Sequence, residues 1–232
     1  MEQEGVRDVT VDTMPVNYYY SLENDAFHFA FTHRDLLPAR NLSGVPEVWA
    51  EESEWGFTTF ARWPGSNSVG KSHKGMPNVG YIVPSAIVLA KSIKQALHVS
   101  WRVPRDDESH ATFRVNLFPM PTAEAKEIIK ARPANYDDRS VIAKYGDAVL
   151  AGDIRIEDIE DRTHIEFVQD YVVQVGQGGI ENRRLERLGR TDASVALQRR
   201  IWRREIEAFA SGQPLKQWRL PPDLEPKAGI EA

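Results

Sequence analysis

The order of elements along the chain predicts an α+β fold, with helices packed on an antiparallel sheet. Segments of strand length and β-branched or aromatic enrichment follow one another between residues 48 and 118. From residue 122 onward that pattern gives way to helical periodicity. The polar turn at residues 104–109 favours an antiparallel hairpin between the last two strands.

Taken in order, the short alternation Val9-Thr10-Val11 suggests a brief strand, and residues 17–33 read as a helix despite Tyr18, Tyr19 and Tyr20. Residues 34–46 are a loop by their Pro, Asn and Gly content. Strands are expected at 48–52, 56–63, 78–84, 96–104 and 110–118. Residues 55–63 and 110–118 alternate as a sheet with one covered face does. Residues 64–77 form a polar loop containing Gly65, Gly70, Lys71 and Ser72 in the spacing of a phosphate-binding loop. Such a loop needs a buried strand before it and a helix after it. Here Trp63-Pro64 precedes it, and the residues after Ser72 cannot start a helix, so the match is read as chance. Helices are expected at 122–132, 137–150 and 165–175, with a break at Gly176–Gly179. A long amphipathic helix follows at 191–210, opened by Thr191-Asp192 and closed by Ser211-Gly212. Residues 1–213 read as one domain and 214–232 as a Pro-rich extended tail, without internal repeats.

Composition narrows the partners. The 232 residues carry a net charge of −5, which argues against nucleic acid or an anionic membrane as the main partner. The charged N-terminus is no signal peptide, and no apolar run spans a bilayer, so a cytoplasmic location is expected. Cysteine is absent. That excludes disulfides, a cysteine nucleophile, zinc–thiolate sites and any iron–sulfur cluster ligated by these residues.

Two stretches carry chemistry. The first, residues 17–34, places Glu23, Asp25, His28 and His33 among Phe27, Phe29 and Phe31. Imidazoles suit a first-row metal, and carboxylates orient them from behind. Asp25 and His28 share a helix face, but His28 and His33 lie about 140° apart on an ideal helix. They converge on one ion only if the helix is distorted or ends between them. Otherwise the stretch is an amphipathic helix with two unrelated histidines. The second stretch, residues 164–192, sets Asp170 among Phe167, Val168, Tyr171, Val172 and Val173. An acid there either faces solvent on the polar side of its helix or is paired or metal-bound.

The second stretch resembles the C-terminal helix of the catalytic domain of Rieske-type non-haem iron oxygenases, in the phthalate-dioxygenase-like and aromatic monooxygenase branch. Gln169-Asp170, Gln174, Gln177-Gly178, Ile180, Arg184, Glu186, Leu188-Gly189 and Asp192 fit that family's pattern. Asp25, His28 and His33 fit its D-x-x-H-x4-H motif, and Arg105-Asp106-Asp107 resembles its turn between two strands. The match spans most of residues 10–212.

What the resemblance implies is specific. His28, His33 and Asp170 would hold Fe(II) as a two-histidine, one-carboxylate triad with positions left open for dioxygen. Asp25 would bridge that site to a Rieske cluster on a neighbouring chain. The fold would be a helix-grip, a curved antiparallel sheet wrapped on a long C-terminal helix, with the substrate pocket between the inner sheet face and the 165–175 helix. Glu23-Asn24 abuts Asp25 where the family usually spaces them further, so Asn24 receives no role. Lacking cysteine, the chain would take electrons from a Rieske [2Fe-2S] centre on a partner such as a reductase, as in bacterial purine N-demethylase systems. The implied activity is hydroxylation of a small aromatic or heteroaromatic substrate with O2, by N- or O-demethylation, in a homo- or hetero-oligomer with a trimer favoured. Ring dihydroxylation is the alternative within that class. Outside it stand a metal-free ligand-binding module of the same fold and a subunit serving assembly alone.

Overall fold

The computed structural model describes residues 6–24, 32–33, 43–67, 69–75, 79–89, 92–118, 121–130 and 138–219. Among these lie the strands β1 (Val6–Met14), β2 (Glu47–Glu52), β3 (Gly56–Arg62), β4 (Gly70–Gly75), β5 (Val79–Leu89), β6 (Ser92–Pro104) and β7 (His110–Phe118). The helices are α1 (Tyr18–Glu23), α2 (Thr122–Lys130), α3 (Arg139–Ala151), α4 (Ile165–Val175) and α5 (Ala193–Ala210). The strands form one sheet in the order β1-β7-β6-β5-β4-β3-β2, every neighbouring pair antiparallel. The α+β expectation therefore holds. No helix among the described residues is long and apolar enough to cross a membrane.

Most element boundaries agree with the patterning, and the departures have physical reasons. β1 extends well beyond Val9–Val11, because it pairs with β7 in continuous register from Val6↔Phe118 to Met14↔His110. The expected polar loop at 64–77 contains β4, which pairs with β3 from Gly56↔Gly75 to Ala61↔Gly70. Backbone pairing needs no apolar side chains, so periodicity alone missed it. Gly70, Lys71 and Ser72 thus sit in a strand with no helix after them, and the phosphate-loop pattern is coincidental. The alternation of β7 is present, yet the covered face is largely its polar one: His110 and Thr112 are buried while Phe113 is exposed. Asp12 of β1 joins that inner face and pairs with Arg114 and Arg139. In β3 the alternation fails, since Gly56 through Thr59 are all buried.

The helix expected over 17–33 is shorter. Asn17 caps α1 by accepting from Tyr19 N at 3.0 Å, and its Nδ2 donates to Asp107 O at 2.8 Å in the β6–β7 turn. The helix stops at Glu23, where Asn24 turns extended at φ −64 and ψ 100. Thr32 and His33 lie in a turn, and 25–31 fall outside the described residues.

Two apolar clusters hold the layers. Met14, Val16, Tyr20, Ile142, Ile165, Val168 and Tyr171 join β1, α1, α3 and α4. Phe57, Leu197 and Ile201 pack α5 on β3, with Trp202 and Trp218 alongside. Residues 213–219 run without regular structure and are tied to the β2–β3 turn by Arg219 N donating to Glu54 O at 2.9 Å, while the rest of the expected tail, 220–232, lies outside the described residues. Helices α3 and α4 meet at Gly146, where a Cβ would stand 2.2 Å from the Tyr171 ring. A Gly146→Val protein is therefore expected to lose about 1–3 kcal/mol of stability by overpacking. An unchanged denaturant midpoint would remove the close approach from the account.

His110 gives a pH dependence. It is fully buried, and its Nδ1 donates to Val16 O at 2.8 Å. Burial pushes its pKa down, the bond to Val16 opposes this in part, and of the nearby charges Arg102 and Arg114 lower it while Asp12 raises it. The folded state thus holds His110 neutral, while in the unfolded chain it takes a proton below about pH 6.5. Its contribution to stability is present above that pH and is lost as pH falls through it toward the depressed folded value. The stability gap between wild type and His110→Asn should narrow between pH 7.5 and pH 5, about one unit either side or more, measured by urea unfolding. A gap that widens on acidification contradicts the assignment.

Candidate metal-binding site and adjoining cavity

Helix α4 buries two amides, Gln169 and Gln174, along with Ile165, Val168 and Tyr171. Buried amides need partners, and both find theirs far away in sequence. Gln174 Oε1 accepts from Ser21 Oγ of α1. Gln169 Oε1 lies 2.7 Å from Nδ1 of His33, a fully buried side chain. An amide oxygen only accepts, so Nδ1 of His33 carries the hydrogen. That leaves His33 Nε2 facing Asp170 Oδ1 at 3.2 Å. The same Asp170 oxygen accepts from Asn24 Nδ2 at 3.3 Å.

This pair has a defined chemistry. With Nδ1–H committed to Gln169, the lone pair of a neutral Nε2 would confront a carboxylate oxygen. The contact is favourable only with a proton or a cation between the two. In the protonated case burial opposes the imidazolium, but the hydrogen bond to Asp170, the Asp170 charge and the Gln169 bond outweigh it and raise the His33 pKa. In the metal case one nitrogen and one oxygen are a donor set suited to a first-row divalent ion.

Of the four residues singled out by sequence, His33 and Asp170 are brought together across the fold. Asp25 and His28 lie outside the described residues. Among the described residues no group of three His, Asp or Glu side chains is close enough to hold a metal. Asn24, which sequence left without a role, touches Asp170 directly.

Behind Asn24 lies a charge network that sequence reasoning missed. Glu23 is 9% exposed in its side chain and is gripped by two guanidinium forks. Arg183 reaches its two oxygens at 3.0 and 2.7 Å, and Arg199 reaches both at 2.7 Å. Arg199 also meets Glu186 at 2.7 Å. The Glu23 bonds push the Arg199 pKa further above its ordinary value. Arg183 sits over the rings of Tyr19 and Tyr20, 5.1 and 4.7 Å from their centroids. The one local signal was the Arg183/Glu186 spacing of three. Glu23 stands in the first chemistry-bearing stretch, but nothing local pointed to its partners Arg183 and Arg199.

Next to the pair is a cavity of about 340 Å³. Glu23, Asn24, Val173, Gln174, Arg187 and Leu188 are among its walls. The C-terminal end of α4 contributes Val173 and Gln174 to its wall, and among the described strand residues Val48 of β2 lines it. Replacing Glu23 by Gln leaves two arginines facing a neutral amide. It should cost about 3 kcal/mol, the low end for breaking a buried pair, because both arginines retain Glu186. Guanidinium unfolding of the variant measures this, and a loss under about 0.5 kcal/mol, the scale of a plain surface change, would mean the network is merely superficial.

The comparisons bear out the resemblance to Rieske-type oxygenase catalytic subunits read from the two motifs. No family model matches the chain. It is 23% identical over 224 residues to the 5,5'-dehydrodivanillate O-demethylase oxygenase subunit of Sphingobium sp. (strain NBRC 103272 / SYK-6), covering 92% of this chain and 47% of that protein. Its fold is like that of NdmA from Pseudomonas putida CBB5, solved with caffeine: TM-score 0.51 at 13% identity, over 88% of this chain and 54% of that one. Dicamba monooxygenase bound to dicamba aligns with a TM-score of 0.49 at 11% identity, over 90% and 60%. The chain spans about half the length of the curated relative it matches.

Proposed function

We propose that these residues form the catalytic part of a non-haem Fe(II), O2-dependent oxygenase that hydroxylates an aromatic or heteroaromatic substrate, by oxidative N- or O-demethylation. The observation that carries the reading is His33 Nε2 set 3.2 Å from Asp170 Oδ1 with its other nitrogen committed to Gln169. A histidine oriented from behind by a fixed acceptor, opposite a carboxylate, is how proteins prepare a metal ligand. His28 completes the ligand set on the family pattern. Bound there, the iron supplies a redox centre with positions open to dioxygen.

The chain's own residues have the remaining tasks. Gln169 holds the His33 tautomer, and Asn24 holds the Asp170 carboxylate. Asp25 links the site to its electron source. That source is a Rieske [2Fe-2S] cluster outside these 232 residues, which contain no cysteine to ligate one. The cavity beside Asn24 receives the substrate, and its mixed polar and apolar walls suit a ring with polar substituents. Hydroxylation of a methyl group on oxygen or nitrogen leaves a carbinol that releases formaldehyde, which is demethylation. The demethylase name of the sequence relative supports this choice over ring dihydroxylation. The helix-grip description and assembly as an oligomer, a trimer foremost, are adopted on the same family grounds.

Metal analysis of protein purified without chelators tests the proposal. Wild type should carry up to about one iron per chain, and His33→Ala, His28→Ala and Asp170→Ala should carry almost none while keeping their far-UV dichroism. Asn24→Ala should bind iron about 10–100-fold more weakly. A wild-type protein that takes up no iron on reconstitution overturns the reading, and full occupancy in any ligand variant removes that residue from the set.

A further inference from the structure

We infer that the outward face of residues 184–190 is a docking surface for an acidic face of the protein that delivers the electrons; this rests on the oxygenase reading above. The segment is built with two sides. Its inward side, Arg183 and Glu186, is locked by Glu23 and Arg199 and by the rings of Tyr19 and Tyr20. Its outward side presents Leu185, 70% exposed, and Leu188, 47% exposed. Val173, 45% exposed, lines the same cavity as Leu188 and extends the apolar area.

Arginines alternate with these leucines along the chain. Arg184, Arg187 and Arg190 are all exposed. Arg187 donates to the carbonyls of Leu185 and Glu186 in its own loop, and none of the three has a carboxylate partner among the described residues. Four other exposed arginines are matched, Arg62 with Glu47, Arg155 with Asp158, Arg204 with Glu52 and Arg219 with Glu54. Arg7, Arg105, Arg200 and Arg203 are exposed without a carboxylate partner among the described residues, but they do not stand three within seven positions beside exposed leucines. In a chain of net charge −5, this concentration of unmatched cations runs against the average. Apolar side chains rimmed by charge of one sign are the anatomy of a protein-docking patch. Positive charge selects and orients an acidic partner. Because the inner side is locked, the loop has little freedom left to lose on docking.

Its position explains why the partner would carry electrons. Arg183 holds Glu23, Glu23 precedes Asn24 in the chain, and Asn24 donates to Asp170. A protein seated on this face therefore stands over the mouth of the cavity that Asn24 lines. A small, salt-sensitive contact also suits a redox encounter, which has to separate quickly. Three apolar side chains drawn from separate elements, not from one amphipathic helix face, offer little to a lipid surface.

The test uses the whole chain and, as probe, a purified acidic Rieske-type ferredoxin, titrated at low and at physiological ionic strength. Wild type should bind it, with affinity falling as salt rises. The R184E/R190E double variant should bind about tenfold or more weakly at low salt and lose the salt dependence. R184K/R190K should retain most of the binding. L185S should weaken binding about tenfold with the salt dependence kept. Binding is read without turnover, and iron content is measured alongside, so loss of the iron reading and loss of the docking face are separate results. The inference is overturned if wild type does not bind the ferredoxin or if R184E/R190E binds as wild type does. Capture of anionic phosphatidylserine vesicles, instead of the ferredoxin, through the same arginines overturns it as well.

Discussion

The arrangement of the site depends on one desolvated carboxylate. Glu23 ends α1 and is almost withdrawn from water, which a lone ionised acid cannot sustain. Two planar guanidinium groups meet its four lone-pair directions, one from 160 residues away and one from 176. Each fork is directional, so the pairing fixes orientation as well as proximity. It thereby joins the end of α1 to two segments far from it in sequence: the 3-10 helix Ile180–Leu185 with Glu186, and the first half of α5. Replacing such a cluster by apolar residues can be neutral in energy, whereas breaking it is not. Its value here lies in determining where Asn24 must stand.

From Asn24 the constraint passes to the His33–Asp170 pair. The Asn24 amide donates to the same Asp170 oxygen that faces His33, while Gln169 accepts from the other ring nitrogen of His33, so both members of the pair are oriented from outside it. A proton or a metal ion is what makes the 3.2 Å contact favourable. Helix α4 supplies both supports from adjacent positions, because its buried stripe carries Gln169 while Asp170, one residue on, points toward the partly open side. The apolar remainder of the stripe packs on α3 around Gly146 and Tyr171 and keeps the helix from rotating.

The same turn has a second consequence. Every third residue of 183–186 faces inward to Glu23 or Arg199, so the intervening and following positions are forced outward. Leucine at those outward positions leaves apolar surface in water that gains from being covered. The charge distribution follows the same division: matched ions on the inner side, unmatched cations on the outer.

Local pattern determined a good deal. The bounds of β7 and α4, the break at Gly176, the turn at Asp106-Asp107 and the α+β order all follow from turn residues and from periodicities contained within each segment. The pairing of two distant motifs, with Asp170 set against His33, was legible through family resemblance, while Asp25 and His28 lie outside the described residues. Tertiary structure alone decided four things: that α1 stops at Glu23, that polar residues 70–75 form a strand, that β7 turns its polar face inward, and that Gln169, Asn24 and Glu23 support the site. Three are fixed by partners far off in the chain, Asp170, Asp12, and Arg183 with Arg199, and the strand at 70–75 by the neighbouring β3. A backbone ladder or a buried ion pair derives its free energy from both members at once, and the pattern of one segment shows only one of them.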